Sequence, residues 1–81
     1  SLLVGTMAST PVGQSLVVNG SLIGGSTTLA TTATDGFWYI PTCSGTPTGT
    51  PTSFSGTAPM VVDVTNSKLY VYIGSTWVAM N

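Results

Sequence analysis

The sequence predicts an all-β fold of short antiparallel strands, completed by contact with copies of the same chain. Three observations carry this. No stretch rich in Ala, Leu, Glu, Lys or Gln recurs at a 3.6-residue period, and β-branched residues and Gly dominate every apolar run. Turn signals of the Asn-Gly, Asp-Gly and Gly-Ser kind separate those runs at short intervals. Only Asp35, Asp63 and Lys68 carry formal charge among 81 residues, where a soluble domain places about a quarter of its residues in charged types. A surface so poor in charge is usually covered by neighbours or by neutral hydroxyls.

Two segments are expected, 1–35 as an N-terminal arm or shaft-like β segment and 36–81 as an aromatic strand, a Gly/Thr/Pro loop and a C-terminal meander. The first thirteen residues are weakly patterned, and Leu2-Leu3-Val4 reads as an apolar arm for a neighbour. Ser15-Leu16-Val17-Val18, Asn19-Gly20 and Ser21-Leu22-Ile23 have the strand, turn, strand pattern of a tight hairpin; a corner between rungs of a wound fibre has the same pattern. Asn19-Gly20-Ser21 also matches a glycosylation sequon, and the turn reading is preferred. Gly24-Gly25 breaks the element, and the Thr-rich run 26–34 follows as an extended connector. Asp35-Gly36 then turns into Phe37-Trp38-Tyr39-Ile40, whose alternation as a strand sets Phe37 and Tyr39 against Trp38 and Ile40. Both faces would be apolar, so a second subunit is expected to cover one of them.

Pro41 ends that strand. Gly45-Thr46-Pro47-Thr48 repeats as Gly49-Thr50-Pro51-Thr52, and the fixed φ of Pro favours open, polyproline-like chain. Two readings stand for this stretch, a plain surface loop and a loop packed along a neighbouring chain or exposed as a contact loop. The C-terminal pattern is the clearest. Met60, Val62 and Val64 alternate against Val61 and Asp63, and Thr65-Asn66-Ser67 supplies a turn. Leu69, Val71 and Ile73 alternate against Tyr70 and Tyr72, and Gly74-Ser75-Thr76 leads into Trp77-Val78-Ala79-Met80. This is a three-stranded antiparallel meander.

Composition excludes several functions. Fifteen Thr, ten Ser, ten Gly and five Pro resemble low complexity, but 42% of the residues are hydrophobic and the net charge is −1, the reverse of a disordered composition. A lone domain of this length usually needs a disulfide, a metal or oligomerisation. Cys43 is the single cysteine, and without His or a carboxylate cluster no metal site or cofactor is expected. Cys43 is expected to be a small core side chain without chemistry. Asp35 and Asp63 with no His, no Glu and one Lys make no catalytic set, so the chain is not expected to be an enzyme. Asp63 and Lys68 are expected to face each other across the hairpin turn and set its register, contributing under about 1 kcal/mol if exposed. One basic residue cannot neutralise phosphates, so no nucleic-acid partner is expected. No apolar run reaches the roughly 20 residues of a membrane span. The N-terminus lacks the basic start of a signal peptide and begins at Ser1, as a processed or incompletely known terminus does.

Met60 to Trp77, M-V-V-D-V-T-N-S-K-L-Y-V-Y-I-G-S-T-W, resembles the MVYD-TNNKLYVYNGSTW module that recurs in bacteriophage tail-fibre, head-fibre and related virion surface proteins. Gly36 to Thr52 is similar to the stretch that often precedes that module, so the resemblance covers Gly36 to Asn81. Leu16 to Gly24 is weakly similar to the repeats of trimeric fibre shafts. The sequence departs from the module at Val62, where Tyr is usual, and at Ile73, where Asn or Asp is usual. The resemblance implies a structural or host-contacting protein on a virion surface, commonly trimeric and attached to other virion proteins of capsid or tail.

On this reading Leu16, Val18, Phe37, Trp38, Leu69, Val71, Ile73 and Trp77 are the subunit-interface candidates, each large side chain contributing roughly 1.5 to 3 kcal/mol when taken out of water. The alternative is a receptor-binding tip that stacks host surface glycans on Trp38, Tyr39, Tyr70, Tyr72 and Trp77, against the plainer expectation that these rings are core or interface anchors. A non-viral extracellular adhesin or surface-layer module is a third possibility.

Overall fold

The computed structural model describes residues 3–6 as backbone and residues 14–81 in full. Among these residues there is no helix, and six short strands form two sheets. The chain divides into two compact units, Ser1–Trp38 and Tyr39–Asn81.

In the first unit, β1 (Leu3–Thr6) pairs antiparallel with β2 (Ser15–Val18), with Leu3 opposite Val18 and Thr6 opposite Ser15. The expected hairpin about Asn19-Gly20 does not form: Ser21, Leu22 and Ile23 are not in a strand, and Ile23 is 80% exposed. The reason lies in length and breakers. Three residues bounded by Gly24-Gly25 offer β2 a shorter ladder than the four register pairs supplied by β1, and glycine weakens strand continuation. Leu2 and residues 7–13, the rest of the proposed arm, lie outside the described residues. The Thr-rich connector contains a turn closed by Ala33 N–H donating to Ala30 O at 3.1 Å. Gly36 has φ +95°, so the Asp35-Gly36 bend uses a conformation that side-chain-bearing residues rarely adopt.

The second unit is a four-stranded sheet in the order β3-β4-β5-β6. The predicted meander is present as β4 (Met60–Asp63), β5 (Lys68–Ile73) and β6 (Thr76–Ala79), both pairings antiparallel. The β5–β6 connection is two residues, Gly74 and Ser75, with φ of 60° and 66°. Positive φ at both central positions is the type I′ arrangement, whose twist matches that of the flanking strands. The predicted aromatic strand is absent: residues 37–40 belong to no strand, so Phe37/Tyr39 and Trp38/Ile40 do not form two sheet faces. Pairing begins after Pro41 instead, where β3 (Thr42–Cys43) runs parallel to β4. Pro41 has no N–H to donate, yet its carbonyl accepts from Val62 N–H at 3.0 Å, and the Cys43 carbonyl accepts from Val64 N–H at 3.0 Å.

Candidate functional site

Register divides the side chains of the meander between two faces. Directly opposed residues share a face, and the observed pairs are Met60 with Val71, Val62 with Leu69, Val71 with Val78, and Ile73 with Thr76. Met80 N–H donates to Leu69 O at 2.7 Å, carrying the same register one residue past β6. One face is therefore aliphatic. The other opposes Val61 with Tyr70, Tyr70 with Ala79, and Tyr72 with Trp77.

The chain covers the tyrosine face itself. Trp77 Nε1 donates to the carbonyl of Gly49 at 2.9 Å, holding the second Gly-Thr-Pro-Thr repeat against β6. The Trp77 ring meets Tyr72 edge to face, with centroids 5.2 Å apart and planes at 70°. Residues 46–50 and then 51–59 line hollows against Tyr72, and Tyr70 is buried at 9% exposure. The repeat is thus a strap on its own sheet, which neither reading of it as a loop anticipated. Gly45 N–H and the Gly49 carbonyl find partners there, and its prolines have no N–H to satisfy.

Asp63 anchors the start of that strap. Its carboxylate has no accessible surface and is enclosed by donors: Oδ1 accepts from the backbone N–H of Gly45 at 2.9 Å, of Thr65 at 3.0 Å and of Asn66 at 3.2 Å, and Oδ2 accepts from Asn66 Nδ2 at 2.7 Å. Burial raises the pKa of this carboxyl, while the Asn66 side chain and the three backbone donors lower it and prevail, so it lies below the ordinary aspartate value. The expected Asp63–Lys68 pairing is correct as cross-strand register but not as a charge contact. Asp63 spends its oxygens on the turn and the strap, and Lys68 Nζ donates to Asn81 O at 3.0 Å. Cys43 is half-buried, and its thiol donates to Gly45 O at 3.3 Å.

The aliphatic face has no such cover. Met60, Val64, Ile73, Val78 and Met80 are all exposed, and Val62, Leu69 and Val71 are half-buried. Its C-terminal end forms a shallow depression with Val62, Val64, Leu69 and Met80 on the walls and Lys68 and Asn81 at the rim. Such a surface supplies few convergent polar groups with which to orient a small molecule.

The candidates named from the sequence are therefore dispersed. Leu69, Val71 and Ile73 share the aliphatic face, whereas Trp77 lies on the opposite one beneath the strap. Leu16, at 68% exposure, and half-buried Val18 belong to β2 in the first unit. Phe37 and Trp38 are exposed, Trp38 at 57%, although its indole lies so close to Gly24 that a Cβ there would overlap Nε1. Of the proposed glycan platform, Tyr39 is the most open at 87%, while Tyr70 is internal and Tyr72 and Trp77 pack on each other. Sequence reasoning missed Met60, Val64, Val78 and Met80 as surface candidates, although their alternation was visible. Among the described residues no group of three or more His, Cys, Asp or Glu is placed to hold a metal, and no helix is long and apolar enough to cross a membrane.

The chain matches no known family model, no curated protein and no solved structure.

Proposed function

We propose that this chain is a structural subunit of a phage-like virion surface, a fibre or capsid-decoration protein that assembles as a homotrimer and attaches to other virion proteins without catalysing a reaction. The observation that carries the reading is the amount of apolar side chain left in solvent by a chain with three charges: fourteen large hydrophobic residues are exposed among the described residues. Surface of this kind is normally covered in an assembly. The resemblance of Met60 to Trp77 to the virion-protein module supports the virion assignment, and both departures from it, Val62 and Ile73, fall on the aliphatic face. Peptide mass spectrometry and immunogold labelling of purified particles from the source test the proposal. The chain is expected on the particle surface in copy numbers divisible by three, and its absence from particles would overturn the assignment.

A second reading, a tip that binds host surface glycans, draws on one arrangement. The Trp38 indole is backed by the Gly24 backbone and leaves more than half of its surface in solvent, as a stacking platform requires. A glycan array with the intact protein and its Trp38→Ala variant checks this. Binding that disappears with the indole supports it, and an array without binding removes it.

A further inference from the structure

We propose that the hollow between the strap and the β5–β6 hairpin binds a neutral saccharide. Its volume is about 380 Å³, within the roughly 300–1,000 Å³ of small-molecule sites. The neighbouring hollow farther along the strap, also lined by Tyr72, holds about 80 Å³ and falls below that range, so the ligand is assigned to the larger one. The class of ligand is that of the second reading above, but the place is different: Trp38 lines neither hollow. Both sides of the site are fixed before a ligand arrives. Trp77 Nε1 holds the strap at Gly49 O, and the hairpin closes through its two-residue turn at Gly74 and Ser75. A preformed site spares the ligand the cost of ordering the chain.

The lining selects the ligand. Thr46, Thr48 and Thr50 line the hollow from the strap and Ser75 from the hairpin turn, and all four are exposed. A hydroxyl both donates and accepts, so these side chains can meet a ligand whose own hydroxyls do the same. Tyr72 and Trp77 complete the lining, each half-buried, and a partly open aromatic ring offers apolar surface. A sugar ring carries both kinds of surface, hydroxyls around its edge and C–H groups on its faces. Other ligands fail one of the two conditions. None of the residues that line the hollow is charged, so a phosphate or carboxylate would give up hydration without an ionic partner. A wholly apolar molecule would leave the hydroxyls it covers unpaired. The depression on the aliphatic face meets neither condition, having no aromatic ring and a cation, Lys68, at its rim.

An array of neutral, sialylated and sulfated oligosaccharides is probed with the intact protein, and the neutral oligosaccharide bound best is then titrated into Trp38→Phe, where Trp77 is the only tryptophan. Its emission is expected to move to shorter wavelength as the sugar covers the ring. Thr48→Val and Ser75→Gly, which each delete one hydroxyl, are expected to weaken binding about two- to tenfold apiece, the effect of one lost hydrogen bond, with far-ultraviolet circular dichroism unchanged. Should Thr48→Val fail to fold, Ser75→Gly decides, because glycine suits the φ of 66° at that position. An array on which no neutral glycan binds, binding that requires a sialic acid or sulfate group, a Trp77 emission that does not move, or full affinity in both hydroxyl variants overturns the proposal. The two glycan sites are told apart by Trp38→Ala. Binding that this variant abolishes and the hydroxyl variants leave intact defeats the hollow and keeps the second reading; binding that survives it and weakens in the hydroxyl variants does the reverse. Neither result bears on the virion assignment, which particle labelling tests.

Discussion

Replacing Trp77 separates two contributions that hold the strap on the sheet. Trp77→Phe keeps a ring against Tyr72 but removes the indole N–H that donates to Gly49 O. That hydrogen bond is solvent-exposed, so its loss falls toward the lower part of the usual range of about 0.5–1.5 kcal/mol. Trp77→Ala removes the ring as well. With the residue half-buried and a tryptophan burying up to about 250 Å² when enclosed, about half of that at 25 cal/mol per Å² gives roughly 3 kcal/mol as an upper bound. The edge-to-face contact with Tyr72 adds a coupling of about 0.5–1.5 kcal/mol, which a double-mutant cycle of Trp77→Ala with Tyr72→Ala isolates. Urea unfolding followed by far-ultraviolet circular dichroism, at one fixed protomer concentration because assembly shifts apparent stability, supplies the four free energies. Trp77→Phe as stable as wild type, together with a double variant whose losses add within about 0.3 kcal/mol, would show that neither the bond nor the ring contact holds the strap.

Asp63→Asn is expected to destabilise the second unit at neutral pH, because an amide in that pocket turns one donor toward the Asn66 Nδ2 donor. The wild type should also show an acid transition that the variant lacks. The folded pKa lies below the unfolded one, so the stabilisation is fully present above the unfolded value near 3.9 and is lost as pH falls through the folded value; identical acid limbs would contradict the donor cage. Gly24→Ala sets a methyl where the Trp38 indole lies and should cost about 1–3 kcal/mol or displace the ring. In a Trp77→Phe background the displaced ring would show greater acrylamide quenching, and unchanged quenching with unchanged stability would show that the two do not touch. Gly74→Val forces a β-branched residue to a φ of 60° and should lower stability by about 1–3 kcal/mol, seen as a reduced urea midpoint; a neutral result would argue against the type I′ turn.

The parts legible in the sequence are those fixed by local chemistry. The meander was readable because alternation and turn signals agree over Met60 to Ala79, with Gly74 taking a positive φ at the second turn. The division of its faces followed from the same alternation. The parts that failed depend on competition for partners. Val17 and Val18 could pair forward across Asn19-Gly20 or backward with Leu3 and Val4, and local propensity does not rank the two; the longer ladder prevails. Phe37 to Ile40 has strand propensity, yet the free edge of β4 is reached by the residues after Pro41, and no strand among the described residues pairs with the aromatic segment. The strap was unreadable for a related reason. Nothing local in Gly-Thr-Pro-Thr specifies a sheet, and its docking depends on the distant donors and acceptors at Asp63 and Trp77.

The fate of Asp63 sharpens the meaning of the low charge. Because its carboxylate is enclosed by Gly45, Thr65 and Asn66, the side-chain charge that reaches solvent among the described residues reduces to Asp35 and Lys68, one of each sign. Colloidal repulsion between such chains is close to nil, and the exposed Thr and Ser hydroxyls among the described residues hydrate the surface without keeping neighbours apart. A strap rich in Thr and Pro therefore does two things at once: it closes the tyrosine face of the sheet, and, exposed Phe54 apart, it gives that face a polar, neutral exterior. The opposite face has neither property. Burial of apolar side chains is therefore left unfinished on that side, where Val, Leu, Ile and Met predominate and the polar groups are confined to Thr76 beside Ile73 and to Ser67, Lys68 and Asn81 at one end.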